Sequence, residues 1–169
     1  AEDPVVVQKL RKLKNRPHKP LAIMVRNIEA VHKICEISEK EKDILAGSKK
    51  PILLLRKRAP EYLPQDIAPK QKRLGVMHPY MPLQFLLFPD GIDYLVMTSG
   101  NISGSPICYQ DSVAIRSLGN VAEYFLTHNY EITVPVDDAV VRVVGDHEIL
   151  VRHGRGYAPL TMHIESKNE

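Results

Sequence analysis

The chain alternates short apolar runs with amphipathic segments, and this alternation predicts strands interleaved with helices. Compact runs rich in Leu, Ile, Val and Met are typical of buried strands, whereas apolar residues three or four positions apart are typical of helices that cover a sheet. Strands are predicted at residues 21–25, 51–55, 74–77, 94–98 and 124–126, with a hairpin formed by residues 140–144 and 148–152. The pattern therefore predicts an α/β fold with a sheet of mixed pairing.

Capping residues place the predicted helices between these strands. Asp3 precedes Pro4, a residue favoured at the first helical position, and Val6, Leu10 and Leu13 then recur on one face. Further helices are predicted after Asn27, after Ser38 with Glu41 in a capping box, from Pro82 with Leu83, Leu86 and Leu87 facing inwards, and after Asp111 or Ser112.

The predicted strand at residues 94–98 ends in a loop of small and polar residues. Two glycines in this loop, residues 98–104, allow the main chain to approach a ligand closely. Ser99, Asn101 and Ser103 can present hydroxyl and amide groups there. Because ligands of open α/β sheets bind beyond the carboxyl ends of strands, we expect a central buried strand that carries a binding loop. From these residues alone, a plain strand-to-helix turn is the alternative.

A second candidate site is the basic segment at residues 14–20, which ends the first predicted helix. Lys14, Arg16 and Lys19 are predicted to project from an exposed loop that Pro17 and Pro20 stiffen. A stiff loop with several cations suits fixed contacts to phosphate. A solvated basic loop is the alternative.

Composition excludes some classes of protein but does not identify the function. The 169 residues are the length of one domain, the net charge of +3 is mild, and 44% of residues are apolar. Cys35 and Cys108 lack the spacing of a zinc site or a disulfide framework, and no apolar run approaches a membrane span. We therefore expect a cytoplasmic protein with no membrane contact. Residues 1–169 are predicted to be a single domain excised from a larger multidomain protein, with a mobile tail at residues 165–169.

Five short motifs, taken in order, resemble the YrdC-like domain of the hydrogenase-maturation carbamoyltransferases, the HypF family. They lie at residues 14–20, 74–80, 97–104, 137–138 and 155–159, and the resemblance extends from about residue 5 to residue 160. Each motif alone is weak, whereas the set in this order is specific. The resemblance implies a twisted, open α/β sheet flanked by helices, with a basic concave face. It also implies that ATP adenylates a carbamoyl species and that pyrophosphate is released.

The same resemblance implies roles for particular residues. Lys14 and Arg16 match a K-x-R pair that holds the ATP phosphates, and both are candidate catalytic residues. Ser99 and Asn101 match an S-x-N pair in the nucleotide and carbamoyl site. Nucleotide binding is further assigned to Lys19, Arg152 and Arg155. The implied cofactors are ATP and Mg²⁺, the implied donor is carbamoyl phosphate or carbamate, and no protein metal site is predicted. The chemistry requires positioning and cations around the α-phosphate rather than a protein nucleophile.

The chain departs from the family pattern at several positions. The glycine-rich segment that normally precedes the K-x-R pair is not present in this sequence. Met81 and Gln84 stand where relatives usually have Thr and His. Asn129 and Tyr130 replace Asp and Arg, and Ala139 replaces a serine after the paired aspartates.

Three classes of function follow. The preferred one is a carbamoyl-adenylate-forming domain that works with the other domains of the full-length protein and with a carbamoyl-acceptor maturation protein. The second is a threonylcarbamoyl-adenylate synthase for tRNA modification, in whose relatives a basic residue commonly occupies the position of Met77. Apolar Met77 cannot make that contact to an amino-acid carboxylate, which favours the smaller carbamoyl substrate. The third is a non-catalytic module that binds RNA, double-stranded RNA included, although aromatic residues for base stacking are few.

The remaining polar candidates are assigned ordinary roles. Asp137 and Asp138 are adjacent, so on a strand at most one is expected to face the site and to help hold Mg²⁺, while the other forms a salt bridge. His18, His78 and His128 have no partner at a spacing diagnostic of general-base catalysis, and we expect polar or loop roles for all three.

Overall fold

The computed structural model describes residues 1–159, in which helices and strands alternate as the sequence predicts. The helices are α1 Pro4–Leu13, α2 Ile28–Ile34, α3 Glu39–Ala46, α4 Pro82–Phe85 and α5 Asp111–Leu118, with a 3₁₀ turn at Gln65–Ile67. The strands are β1 Ala22–Val25, β2 Cys35–Glu36, β3 Ile52–Lys57, β4 Arg73–Met77, β5 Tyr94–Met97, β6 Val140–Val144 and β7 His147–Arg152. The predicted tail at residues 165–169 lies outside the described residues.

The seven strands form one mixed sheet in the order β5-β1-β4-β3-β6-β7, with β2 paired to β3. Strand β1 runs parallel to β4 and antiparallel to β5, and β3 runs antiparallel to β4 and parallel to β6. Strands β6 and β7 form the predicted hairpin. The mixed α/β sheet is therefore confirmed, as are the caps that Asp3, Asn27 and Ser38 supply to α1, α2 and α3.

One face of the sheet carries the main hydrophobic core. Alternate strand residues such as Ile23, Leu53 and Val76 are fully buried there, against side chains of α1, α2 and α3 such as Val31 and Leu45. The opposite face has a smaller cluster around Met24, Met77 and Phe88. The helices thus cover one face and leave much of the other open.

The first helix buries a face shifted from the predicted one, and of the three predicted residues only Leu10 packs against the core. Val6 and Leu13 are exposed, whereas Val7 and Arg11 are buried. The periodicity misled the prediction because Arg11 is buried with its charge satisfied: its guanidinium donates to the carbonyls of Asp66, Arg16 and Lys19, among others. Arg11 therefore fastens α1 to the basic segment that follows it.

Three further predictions about the elements are wrong. Strand β5 lies at the edge of the sheet rather than at its centre, and Tyr94 is its one buried residue. Leu83, Leu86 and Leu87 of the α4 region are exposed rather than turned inwards. Residues 124–126 are exposed and form no strand. No helix in residues 1–159 is long and apolar enough to cross a membrane.

Candidate nucleotide-binding cleft

A cleft of about 430 Å³ lies on the open face of the sheet. Its floor is one register row that crosses four strands, in which Met97 pairs with Ala22, Ala22 with Gly75, and Gly75 with Leu54. The side chains of this row point to the same face of the sheet, because residues paired across neighbouring strands lie on the same face. Met77 in the neighbouring row adds to the floor. The floor is therefore apolar and is made by the sheet itself.

Gly75 keeps this floor low. A Cβ atom at Gly75 would lie 3.0 Å from Ile52 Cγ2 and 3.7 Å from Ala22 Cβ. A larger side chain at this position would project from the sheet into the cleft. The glycine, next to the small Ala22, thus leaves room for a flat group against the strands.

The polar loop after β5 forms one side of the cleft. Thr98, Ser99, Gly100 and Asn101 all line it, whereas Ser103 does not. The Ser99 hydroxyl donates to Asn101 Oδ1 at 2.8 Å, and Asn101 Nδ2 donates to the carbonyl of Ser105 at 2.6 Å. The two residues of the predicted S-x-N pair are therefore bonded to each other at the edge of the cleft.

Lys14 lies under this loop and not on an exposed one. Its side chain is 5% exposed, and Nζ donates to the carbonyl oxygens of Ser99 at 2.7 Å and of Asn101 at 2.6 Å. Burial, and then the nearby charge of Arg16, lower the pKa of Lys14 from its usual value. The predicted exposure of Lys14 is thus wrong, although the structure does bring it to the predicted loop.

Arg16 and Lys19 lie on the rim of the cleft. Arg16 Nη1 donates to Thr98 Oγ1 at 3.2 Å and Nη2 donates to the Pro20 carbonyl at 2.7 Å, while its buried Nε has no partner among the described residues. Burial lowers the pKa of Arg16, and the charges of Arg11 and Arg152 act in the same direction. An anion in the cleft would relieve this accumulation of positive charge.

Arg152 faces Arg16 from the other end of the sheet. Its Nε and Nη2 donate to the main-chain carbonyl of Asp138 at 2.9 and 2.7 Å, and Nη1 lies 3.1 Å from Asp137 Oδ2. Both aspartates line the cleft, so the expectation that at most one of them faces the site is wrong. They precede β6 rather than lie within it, and strict alternation of side chains does not apply to them.

Arg155 is the most constrained cation of the cleft. Its Nε and Nη2 donate to Asp138 Oδ1 at 3.1 and 3.0 Å, and Nη2 also donates to the Lys50 carbonyl at 2.8 Å. Its guanidinium carbon lies 3.4 Å from the centre of the Tyr80 ring. Sequence reasoning did not single out Tyr80, and its only signal was its place in the motif at residues 74–80.

Two glycines allow the Arg155 segment to approach the sheet. A Cβ at Gly154 would lie 2.3 Å from the Asp137 carbonyl, and a Cβ at Gly156 would lie 2.5 Å from the Lys49 carbonyl. Gly156 also has a positive φ of 83°. The Gly-Arg-Gly sequence is therefore explained by close main-chain contact on both sides of the arginine.

Among the described residues, the cleft is lined by four cationic residues and two with carboxylates, so its charge balance favours an anion. Within residues 1–159, no group of three His, Cys, Asp or Glu side chains is placed to hold a metal ion. Asp137 and Asp138 offer the one or two carboxylates that Mg²⁺ usually takes from a protein when phosphates complete its coordination. Both carboxylates are paired with arginines, Asp137 with Arg152 and Asp138 with Arg155, so a magnesium ion bound together with a polyphosphate would share them with these cations.

Two of the positions that depart from the family pattern, Gln84 and Ala139, are buried in the structure. Buried Gln84 accepts hydrogen bonds at Oε1 from the main-chain N–H groups of Tyr80, at 2.8 Å, and Met81. Ala139 is fully buried, and its carbonyl accepts from Ile52 N at 2.8 Å.

The other departures, and the histidines within residues 1–159, lie outside the cleft. Asn129 and Tyr130 are exposed, and the Tyr130 ring lies near the ring of His128. His78 is half-buried, and burial, followed by the charge of Lys50, lowers its pKa to about 4. His18 is exposed, and among the described residues no histidine lines the cleft.

The fold is an α/β domain with an open mixed sheet, and its cleft has an apolar floor, a rim of cations and a serine–asparagine loop. The profile of the Sua5/YciO/YrdC family, which is described as "Telomere recombination", matches residues 1–154, and the chain belongs to this family. The resemblance noted from the motifs is thereby confirmed at the level of the family.

Relatives with curated descriptions connect the chain to one branch of the family. It is 40% identical over 159 residues to "Carbamoyltransferase HypF" of Synechocystis sp., which covers 94% of this chain and 21% of that protein. It is 37% identical over 169 residues to "Probable carbamoyltransferase HypF" of Methanocaldococcus jannaschii, at 99% and 22% coverage. The chain thus spans about a fifth of the length of these relatives.

Solved structures of two related proteins have a similar fold. The chain matches full-length HypF in a phosphate- and nucleotide-bound form with a TM-score of 0.89 and 39% identity, over 94% of this chain and 25% of that one. It matches Pyrococcus abyssi Sua5 complexed with L-threonine with a TM-score of 0.75 and 22% identity, over 90% and 45%. At that identity the second match shows a shared fold alone.

Proposed function

We propose that this chain forms carbamoyl-adenylate from ATP and a carbamoyl species, as one domain of a hydrogenase-maturation carbamoyltransferase. The observation that carries the proposal is the cleft, where Arg16, Lys19 and Arg152 surround an apolar floor beside the Ser99–Asn101 loop. The cations suit a triphosphate, and the flat floor at Gly75 suits a planar base. Similarity to a HypF structure that is described as nucleotide-bound supports the same reading.

In the proposed reaction an oxygen of carbamate attacks the α-phosphorus of ATP, the bond to the bridging oxygen breaks, and pyrophosphate leaves with that electron pair. Carbamoyl phosphate serves as donor once it has been hydrolysed to carbamate and phosphate. Arg16 and Arg152 stabilise the negative charge that develops around the phosphates. A magnesium ion bound with the triphosphate would make pyrophosphate a better leaving group, and Asp137 and Asp138 are the carboxylates of the cleft that would hold it.

Met77 favours the carbamoyl substrate over threonylcarbamate. Its side chain is 1% exposed and lies in the apolar floor, where it offers no charge to an amino-acid carboxylate. A buried carboxylate without a cationic partner is costly, so the carboxylate of a threonine-derived substrate would gain no favourable contact from this part of the floor. We therefore keep threonylcarbamoyl-adenylate synthesis and RNA binding as the outcomes that would replace the proposal.

ATP–pyrophosphate exchange separates these functions. We expect label from pyrophosphate to enter ATP when carbamate, or carbamoyl phosphate together with an acylphosphatase, is present with Mg²⁺. Exchange only with threonine and bicarbonate would assign the second function. Absence of exchange with both donors, together with salt-sensitive binding of double-stranded RNA, would assign the third. The Arg16→Met variant is the negative control: it removes a cation from the rim, so it should abolish exchange if the reaction takes place in this cleft.

A further inference from the structure

Lys14 is predicted to contact phosphate from an exposed loop, but the structure places it in the interior. Its side chain is almost fully buried, and it is not among the residues that line the cleft. Two of its three ammonium hydrogens are directed at main-chain carbonyls, those of Ser99 and Asn101, at 2.7 and 2.6 Å. These are short, charge-assisted hydrogen bonds, which are stronger than bonds between neutral groups.

The rest of the loop is held mainly by bonds within itself. Asn101 N donates to the Ser99 carbonyl at 2.9 Å, and Cys108 N donates to the Gly100 carbonyl at 2.7 Å. Lys14 belongs to a different element, since it caps the end of α1. It therefore connects the loop main chain to a helix that Arg11 fastens to the core side of the molecule.

Without the ammonium, the half-buried Asn101 carbonyl would lose its bond to Lys14 and the Ser99 carbonyl would keep only its bond from Asn101 N, so the loop prefers the position that Lys14 allows. That position sets where the Ser99 hydroxyl and the Asn101 amide meet the cleft. A direct contact from Lys14 to a phosphate would require the ammonium to leave this buried place or to bind through its one remaining hydrogen.

We propose that Lys14 is a positioning residue, which holds the Ser99–Asn101 loop through its main-chain carbonyls, and that it is not a ligand of the nucleotide phosphates. This inference deepens the proposed function, because the loop is the proposed binding loop. The cations that meet the phosphates are then those of the rim, Arg16, Lys19 and Arg152.

Hydrogen exchange in the nucleotide-free chain tests the inference without depending on the proposed reaction. The Lys14→Met variant keeps an apolar stem of similar length and removes the ammonium. We expect the amides of Asn101 and Cys108 to exchange about tenfold faster in this variant, because the loop opens more often. The amide of Val76 in the sheet should be unchanged. The matched control is Lys19→Met, which removes an exposed rim lysine and should leave loop exchange unaltered.

Nucleotide affinity provides the second readout. We expect Lys14→Met to weaken ATP binding in parallel with the loss of loop protection, and Lys14→Gln, which retains a neutral donor, to restore part of both. Unchanged loop exchange together with lost ATP affinity would overturn the inference and make Lys14 a phosphate ligand. Should the Met variant fail to fold, Lys14→Gln carries the same test. If the parent chain binds no nucleotide, the proposed function fails, while the exchange result still decides the role of Lys14.

Discussion

The guanidinium carbon of Arg155 lies 3.4 Å from the centre of the Tyr80 ring. Seventy-five positions separate the two residues, and their contact joins the turn after β4 to the segment after β7 across the mouth of the cleft. Asp138 and the Lys50 carbonyl hold the edge of the same guanidinium. The arginine thus has a fixed plane, and its charge contributes to the cleft from one defined place.

Loss of the Tyr80 ring should loosen Arg155 and weaken nucleotide binding. A cation–π contact is worth about 0.5–2 kcal/mol, so Tyr80→Leu should raise the Kd for ATP about 2- to 30-fold. Isothermal titration calorimetry measures the change. Tyr80→Phe keeps the ring and removes only the hydroxyl, and its Kd should match that of the parent. Equal losses in the two variants would assign the effect to the hydroxyl and contradict the stacking argument.

Close main-chain contact at Gly156 should make this position intolerant of a side chain. Gly156→Ala adds a Cβ at positive φ and 2.5 Å from the Lys49 carbonyl, so we expect the free energy of unfolding to fall by about 2–4 kcal/mol. Gly145→Ala is the matched control, since Gly145 also has a positive φ but open space around it. Its expected loss is about 1–2 kcal/mol. Urea unfolding measures both values, and equal losses would show that the contact with Lys49 contributes nothing.

Local signals in the sequence were sufficient for most elements and failed where tertiary packing decides. Caps at Asp3, Asn27 and Ser38 act within one turn, so they are visible in the sequence and were predicted correctly. The inward face of α1 was predicted wrongly because Arg11 is buried. Its burial depends on carbonyls up to 56 positions away, which no periodicity reveals.

In the cleft, too, local signals in the sequence identify residues but do not show how they pack. The sequence pointed to Arg16, Ser99 and Asn101, and the structure brings all three to one cleft. It could not show that Lys14 lies beneath the loop, since a lysine next to prolines has the pattern of an exposed loop. Nor could it single out Tyr80, because a ring that stacks on a distant arginine has no local signature. The functional roles of Arg16, Ser99 and Asn101 stay predictions.

The depth of the cleft floor should control nucleotide binding. Gly75→Leu places a branched side chain in the space above Ala22 and Ile52, so ATP affinity should fall at least about tenfold. Gly75→Ala adds one methyl group 3.0 Å from Ile52 Cγ2 and should have an intermediate effect. Fluorescence titration with a nucleotide analogue gives both affinities, and circular dichroism verifies the fold. Unaltered affinity in Gly75→Leu would show that the nucleotide does not lie on this floor.

His78 should make the protein less stable in acid. Burial and the charge of Lys50 lower its pKa to about 4, below the ordinary value of 6.5. Because the unfolded chain binds the proton more tightly than the folded one, the contribution of neutral His78 is complete above pH 6.5 and is lost as the pH falls towards 4. Urea unfolding at several pH values measures the slope. In His78→Gln we expect a shallower slope in that window, by up to about one proton taken up on unfolding. Identical slopes in the two proteins would contradict the lowered pKa.

The two cysteines should differ sharply in their reaction with thiol reagents. Cys35 is fully buried on the helical side of the sheet, and burial raises the pKa of its thiol to about 12, so thiolate is scarce and inaccessible. Cys108 is only half-buried, in the segment that follows the polar loop. At pH 8 an aromatic disulfide reagent should therefore label one thiol per folded chain quickly and the second only after unfolding in urea. Cys108→Ser is the control that assigns the fast phase, and rapid labelling that persisted in this variant would mean that the core around Cys35 opens far more often than its packing allows.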